Sequence, residues 1–430
     1  MTRFRLAVNL MRLAGATAMT DNRKSGFFQI LPLYFVIFIG FIGYSLMTAI
    51  MTPMILDNSG GILDSLPFNA DRSIVLGVLL MLYPLGQFLG SPVMGAMSDR
   101  FGRRPVLLVS LAVIAICYAL FAISLQLNCL PALMGISLLM GLADADVVTA
   151  QSAIADVSTE ENRSRLFGYM YLSGSGAFVA GPLVGGKLAD PATLPWFDYA
   201  TPYWAVFILL LFALAFTYYV FEETRTPDAG AKTNYAEAFT NMLKIFSSGR
   251  IRTVYLVNFL IYFSIFGFFR AYPMYLVDRY NMGVGRVSDF IAWVAVPIVL
   301  ANVWLTGYLA TRLSARKITI YSTALLGILM PLILLPRQEG ALWATLFLPG
   351  LAIAVALPAC ASMLSLMVSA DEQGSVLGNN QSILVGAEAL SGLAAGLLAA
   401  LALRLPLIAL AGVAILAAII LAAEGRERLP

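Results

Sequence analysis

The sequence predicts an all-α membrane protein of twelve spanning helices arranged as two six-helix halves. Three observations predict it. Hydrophobic residues make up 60% of the 430-residue chain and charged residues 12%, against about 25% charged in a soluble domain. A compact charged turn, G-A-M-S-D-R-F-G-R-R-P from Gly95 to Pro105, sits between long apolar runs. Hydrocarbon excludes such a turn, so it is a tight hairpin joining two spans on the basic side of the bilayer. The chain also echoes itself at about half its length. Gly95…Arg100 returns as Gly307…Arg312, Val157-Ser-Thr-Glu-Glu-Asn-Arg-Ser as Val368-Ser-Ala-Asp-Glu-Gln-Gly-Ser, and Pro53-Met-Ile-Leu-Asp57 loosely as Pro273-Met-Tyr-Leu-Val-Asp278. Two repeated halves with a substrate site between them at mid-membrane is a transporter architecture.

At roughly 20 apolar residues per span, the chain has room for about twelve. Residues 1–26 are basic, with Arg3, Arg5, Arg12, Arg23 and Lys24 against Asp21. They read either as an amphipathic helix on an anionic membrane surface or as a loose tail. They lack the apolar core of a cleavable signal peptide. Span 1 is placed at 29–54, followed by an outer loop containing Asn58, Gly60, Gly61 and Pro67. Span 2 runs from 73 to about 97, span 3 over 105–125 and span 4 over 130–155. A charged inner loop, 156–165, precedes span 5 at 166–188. The outer loop 189–202 leads into span 6, which ends near Phe221. Residues 222–252 form the one long polar stretch inside the chain and read as a central linker. Spans 7 to 12 centre near Phe263, Val299, Leu326, Ile353, Glu388 and Gly412. The halves are then 27–221 and 253–423, with a tail at 424–430. Assigning alternate loops to alternate sides puts most of the 27 Lys and Arg with the termini and the linker. That places both ends in the cytoplasm, with a bacterial inner membrane as the expected location.

The composition narrows the chemistry. No G-x-x-x-x-G-K-[ST] loop is present, so ATP is not the energy source. There is no histidine, which leaves proton handling to carboxylates, or to Tyr, Lys or Cys. Cys117, Cys129 and Cys360 show no metal-ligand spacing and read as small apolar residues. The expectation is a non-enzymatic protein with no metal, cofactor or nucleic-acid partner.

Four ionisable residues fall inside the spans: Asp144 and Asp146 in span 4, Arg270 in span 7 and Glu388 in span 11. Such residues are expensive in a membrane and are functional candidates by default. Arg270 lies one turn before Pro273 with no carboxylate in its own span, so either Glu388 or an anionic substrate serves as its partner. Nearby Gln151, Asn258, Asn302 and Asn379 either orient a substrate or bridge helices. In span 5, Ala177, Gly181 and Gly185 form a small-residue ladder that lets another helix approach closely, and Pro182 removes a backbone donor and bends the helix. Gly392, Gly396 and Ala400 form the matching ladder in span 11. The two ladders are expected to make a dry seam between the halves.

The turn Gly95, Asp99, Arg100, Gly102, Arg103 and Arg104 resembles the signature loop G-x-x-x-D-R-x-G-R-R of the major facilitator superfamily. The stretch Gly176-Ala-Phe-Val-Ala-Gly181-Pro182-Leu-Val-Gly185-Gly186 resembles the antiporter motif of its drug:proton exporters. Residues 78–190 look most like tetracycline and multidrug exporters, through Leu80-Met-Leu-Tyr83, Ile154-Ala-Asp156 and the loop itself; Leu357-Pro-Ala carries a weaker likeness in the second half. The resemblance implies the major facilitator fold, a monomer in the lipid bilayer, and export of a small amphipathic organic compound in exchange for protons by alternating access. It implies that Asp99 sits at the start of span 11, and that Arg103 pairs with Asp156 to lock the outward-open state. The sequence also departs from the exporters. Their cavity-facing arginine in span 4 aligns with Ser137, and 40–53 carries no acid. Asp144, two turns after Ser137 and on the face continued by Val148 and Gln151, is therefore assigned to the cavity as a proton-coupling carboxylate alongside Glu388. Residues two apart on a helix point roughly 200° apart, which assigns Asp146 to packing. Two alternatives stand beside export: import or facilitated passage of an anionic metabolite or metal-chelate, and a non-transporting receptor of the same fold.

Overall fold

The computed structural model describes residues 22–57, 61–65, 71–144, 146–159, 162–224, 251–367 and 370–424. Among these, the secondary structure is helical throughout, with no strand. Ten helical segments are long and apolar enough to cross a membrane, from Phe28–Leu56 to Leu405–Ala423. Arg163–Leu188 and Ala315–Leu332 complete the twelve. They carry more polarity at their ends, from Arg165 and Lys187 in one and Arg316 and Lys317 in the other. The protein is therefore an all-α membrane protein of twelve spans in two six-helix halves. Residues 1–21, most of the linker (225–250) and the tail from 425 lie outside the described residues, as do Asn58 and the start of the Val368 echo.

Several boundaries differ from the sequence expectation. Span 1 begins at Asn22, seven residues early, and carries Pro32 and Pro53 within it. Spans 2 and 3, Arg72–Phe101 and Arg103–Gln126, are separated by Gly102 alone. Its φ of 96° lies in the region that favours glycine, so one residue makes the whole turn. At the opposite end of span 2, Asp71 accepts hydrogen bonds from the Ser73 and Ile74 amides and caps the helix. Span 4 is two helices, Leu130–Ala143 and Asp146–Asp156. Asp144, at φ −73° and ψ 63°, stands between them outside the helical region. Span 8 carries a π-helical segment, Ala301–Leu305, between Val284–Leu300 and Thr306–Arg312.

Call the side of residue 22, Gly102 and residue 424 the terminus side, and its opposite the far side. Span 1 packs on span 5, span 2 on spans 4 and 11, span 5 on span 8, and span 7 on spans 11 and 12. The two halves meet closely on the far side. Gly396 of span 11 lies against the backbone of Ser73 and Gly77, Gly392 against Leu80 and Met81, and Gly186 of span 5 against Ser288 of span 8. Toward the terminus side the same helices diverge. A methyl group added at Gly95, Gly168, Gly307 or Gly378 would meet nothing, and Tyr169, Leu172, Val303, Trp304 and Tyr308 are exposed. The glycine contacts between the halves thus cluster on the far side, where a cavity of about 560 Å³ lined by Pro53, Asp57, Arg72, Asp278 and Asn281 also lies between them.

This geometry corrects the expected seam. The span 5 ladder does not lie between the halves. Gly181 meets Ser45 and Ile42, and Gly185 meets Leu46, all in span 1; Gly176 only brushes Phe38 of the same span. The helix that approaches this ladder belongs to its own half, and only Gly186, one residue round, faces the other half. The span 11 ladder does lie between the halves, against span 2.

Candidate functional site

Three polar clusters interrupt the apolar interior. The first is the hairpin between spans 2 and 3. Arg103 is buried and reaches three partners: Asp99 at 2.9 Å and Asp156, at the end of span 4, at 2.8 Å, with a hydrogen bond donated to Ser98 Oγ. Glu223, which sequence reasoning left inside the linker, completes the site. Its carboxylate accepts from the amides of Arg103 (2.8 Å) and Arg104 (2.9 Å), and so occupies the orphan donors at the start of span 3. A side chain at Gly102 would run into that carboxylate. Arg104 donates to the Tyr218 carbonyl at 2.7 Å, and Gln29 donates to Glu222. The hairpin is thus clamped to the end of span 6. An acid two residues past an apolar run gives no sequence signal; only the fold brings it to Gly102. Replacing Glu223 by alanine is expected to cost about 0.5–2 kcal/mol, the usual loss for a helix cap, read as a lowered unfolding temperature in detergent, with Glu223→Gln recovering part of it. An unchanged temperature would show the clamp to be dispensable.

The Arg103–Asp156 pair bears on the state it was expected to lock. It is formed here in the conformation in which the far-side glycines of the two halves touch. The residues at the start of span 11 that Asp99 was expected to face have side chains outside the described set. Arg100 stacks over Phe101, and Gly95 makes no close approach in this conformation.

The second cluster lies at mid-depth and joins the halves. Arg270 of span 7 and Glu388 of span 11 form an ion pair at 2.6 Å, each 3% exposed. Span 1 supplies the rest. The Tyr44 hydroxyl donates to Glu388, while Arg270 donates to the hydroxyls of Thr48 at 2.5 Å and Tyr44 at 3.2 Å. Charged groups in hydrocarbon persist when paired and hydrogen-bonded, and this cluster meets both conditions with groups from both halves. Arg270's partner is thus Glu388. Tyr44 and Thr48 escaped sequence reasoning because hydroxyls in an apolar run read as packing.

The third cluster overturns the assignment of the span 4 acids. Asp144 and Asp146 line the same small cavity, with Tyr83, Tyr118, Met140 and Gly40. Asp144 accepts from Tyr83 Oη at 3.0 Å and Gln87 Nε2 at 2.8 Å. The 200° separation holds only along a continuous helix, and span 4 breaks at Asp144. Nor does this face open on a central cavity: Asp144 is 6% exposed, and Ser137 is fully buried and bonded to the Leu133 carbonyl.

The remaining candidates separate. Asn258 donates to Asn380, which donates to Tyr262, bridging spans 7 and 11. Tyr255 donates to the Val376 carbonyl across the same two spans, and Asn379 is half-buried one turn further along span 11. Gln151 is half-buried at the terminus end of span 4, and Asn302 is exposed on the π-helical segment of span 8. Among the described residues no group of acids and cysteines has the makings of a metal site.

Comparison with known proteins fits this architecture. The tetracycline resistance protein class G of Vibrio anguillarum is 30% identical over 311 residues, covering 71% of this chain and 76% of the relative. The class C protein of Escherichia coli is 48% identical over 112 residues, 26% of this chain and 28% of the relative. Among solved structures, a bacterial homologue of the human lysosomal transporter Spinster, in an inward-facing and occupied conformation, aligns with a TM-score of 0.75 at 13% identity, covering 92% of this chain and 95% of that one. The human organic anion transporter TETRAN aligns at 0.67 and 20% identity, covering 94% and 100%. The family model for the Major Facilitator Superfamily matches residues 33–303 and 254–428. With both halves matched, and with a clamped hairpin, a glycine seam and a buried ion pair set on twelve spans, this chain belongs to the major facilitator superfamily of transporters.

Proposed function

We propose that the protein exports a small amphipathic organic compound, of the kind the tetracycline resistance relatives are named for, in exchange for protons, from a bacterial inner membrane with both termini cytoplasmic. The terminus side is then the cytoplasm. The observation that carries the reading is the mid-depth cluster. Glu388 is held by Arg270 within its own half and by Tyr44 across to the other. A proton reaching Glu388 weakens its hold on both, and the halves are then free to part on the far side. Proton occupancy and the direction of opening are thereby linked through one carboxylate. The Asp144–Asp146 site supplies a second carboxylate group within the first half. Exposed Trp304, Tyr308 and Asn302 of span 8 and Tyr169 of span 5 offer mixed aromatic and amide surface to such a compound. The importer reading loses its motive, since the cation proposed to hold an anion is already neutralised by Glu388.

The test is flux in proteoliposomes under an imposed pH gradient, with a panel of amphipathic compounds that includes tetracycline. Accumulation that rises at least tenfold with the gradient and collapses with a protonophore supports the reading. Flux of a panel compound that ignores the gradient, or flux of organic anions alone, would overturn it.

A further inference from the structure

The break in span 4 places two carboxyl groups where the apolar surroundings tolerate only one negative charge. We propose that Asp144 and Asp146 act as a single dyad that holds one exchangeable proton between them, so that Asp146 is half of a cation-binding site rather than a packing residue.

The geometry is specific. The two carboxyl groups line one cavity of about 10 Å³. Ionised carboxylates are acceptors only, so two of them in so small a space have no bond to share until one carries a proton. Asp144 is the acceptor-rich member, since Oδ2 takes bonds from Tyr83 and Gln87 of span 2. Asp146 is the other kind. It is 1% exposed, and its Oδ1 is buried without a hydrogen-bond partner among the described residues. A carboxyl with a bare oxygen in an apolar cavity is the member that carries the proton.

The elements packed around the pair offer apolar or hydroxyl-bearing side chains. Span 1 contributes Ile39 and Gly40, span 6 Leu210, and span 3 Ile114 and Tyr118, with Cys117 beside Tyr118. Beyond Tyr83, the Tyr44 ring lies 6.1 Å away and leads to the Glu388–Arg270 pair, whose cation is already taken. No cationic side chain lines the cavity. Among the described residues, positive potential at the pair comes from the N-terminus of the short helix Asp146–Asp156, which favours about one negative charge. Of two carboxylates, one is therefore accommodated and the second needs a proton. A hydrated metal cation has no room, because the cavity is about 10 Å³, at the lower limit of what one water occupies. Binding is simple in balance: the doubly charged pair takes one proton and becomes singly charged.

This inference refines the second carboxylate group named under proton-coupled export, and its test avoids flux so that the two stand or fall separately. Infrared spectra of the full-length protein in nanodiscs are recorded against pH, following the carbonyl stretch of protonated carboxyl groups and its shift in deuterium oxide. One titrating band is expected to vanish in the double variant Asp144→Asn/Asp146→Asn and to survive in Glu388→Gln. In Asp146→Asn the midpoint of the remaining acid should move by more than about one pH unit, the mark of a coupled pair. Tyr83→Phe, which leaves both acids in place and removes one hydrogen bond to Asp144, should also move it and serves if the span 4 variants fold poorly. An unmoved midpoint in both Asp146→Asn and Tyr83→Phe overturns the dyad. So does loss of the band on adding sodium or lithium at fixed pH, which would make the site one for a metal cation. A dyad that titrates as one unit in a protein whose flux ignores the pH gradient removes the coupling reading and leaves the dyad in place.

Discussion

Arg270→Ala is expected to abolish transport and to destabilise the protein by about 3–5 kcal/mol, the usual result of stranding one member of a buried ion pair. Glu388 is 3% exposed, so water cannot replace the guanidinium at 2.6 Å. Glu388→Ala should do the same from the other side. The double variant Arg270→Met/Glu388→Leu should recover most of the stability, since well-packed apolar replacements of a buried pair are often neutral, yet it should stay inactive because no titrating group remains there. Thermal unfolding in detergent, arranged as a double-mutant cycle, measures the coupling. If the single variants unfold at the wild-type temperature, the pair does not hold the two spans together. Thr48→Val separates stability from conformation. It removes one bond to a charged group, worth about 1.5–3 kcal/mol, and that bond crosses between the halves. A bond made only while the far side is closed biases the two states by that amount, roughly ten- to a hundredfold toward opening when it is lost. Spin-label distances across the far side report the shift.

The sequence carried the spans because apolar runs of membrane length have one stable use, and it carried the hairpin because only glycine turns the chain within one residue at Gly102. Arg270 and Glu388 were legible as a possible pair for a related reason: few charges lie in hydrocarbon, and each must find another. The misreadings share a cause of their own. A turn of 100° per residue separates Asp144 from Asp146 only where span 4 is one helix. Asp144 leaves the helical region, so both acids reach one cavity, and nothing in the run of apolar residues announces the break. The ladder in span 5 was recognisable as a close-contact surface, but spacing alone does not say which helix fills it. Span 1 fills it, from within the same half. Tyr44, Thr48, Tyr83 and Glu223 find their polar partners more than fifty residues away in the chain.

Gly396→Leu is expected to prevent the far side from closing and to hold the protein in the opposite conformation. A Cβ at Gly396 meets the Ser73 carbonyl oxygen and the Gly77 backbone. No side-chain rotation relieves that contact, because both obstacles are main chain. The relief available is to separate span 11 from span 2, which is the movement that opens the far side. Overpacking a close contact costs about 1–3 kcal/mol or more, and the cost falls on the closed state alone. The ratio of states should therefore move about ten- to a hundredfold, and transport should fall with it because one of the two states is no longer reached. The measurement is the distance between spin labels on spans 2 and 11, taken on both sides of the membrane, with labelling of a cysteine at Ser91 decreasing as the terminus side closes. Gly412→Leu is the control, since an added side chain there meets nothing. Gly181→Leu gives the contrast. It strikes Ser45 and the backbone of Ile42 inside one half, where no rocking movement relieves it, so that variant should lose stability in both conformations instead of redistributing them. Wild-type distances in Gly396→Leu would show that the glycine seam between spans 2 and 11 is not what lets the halves meet.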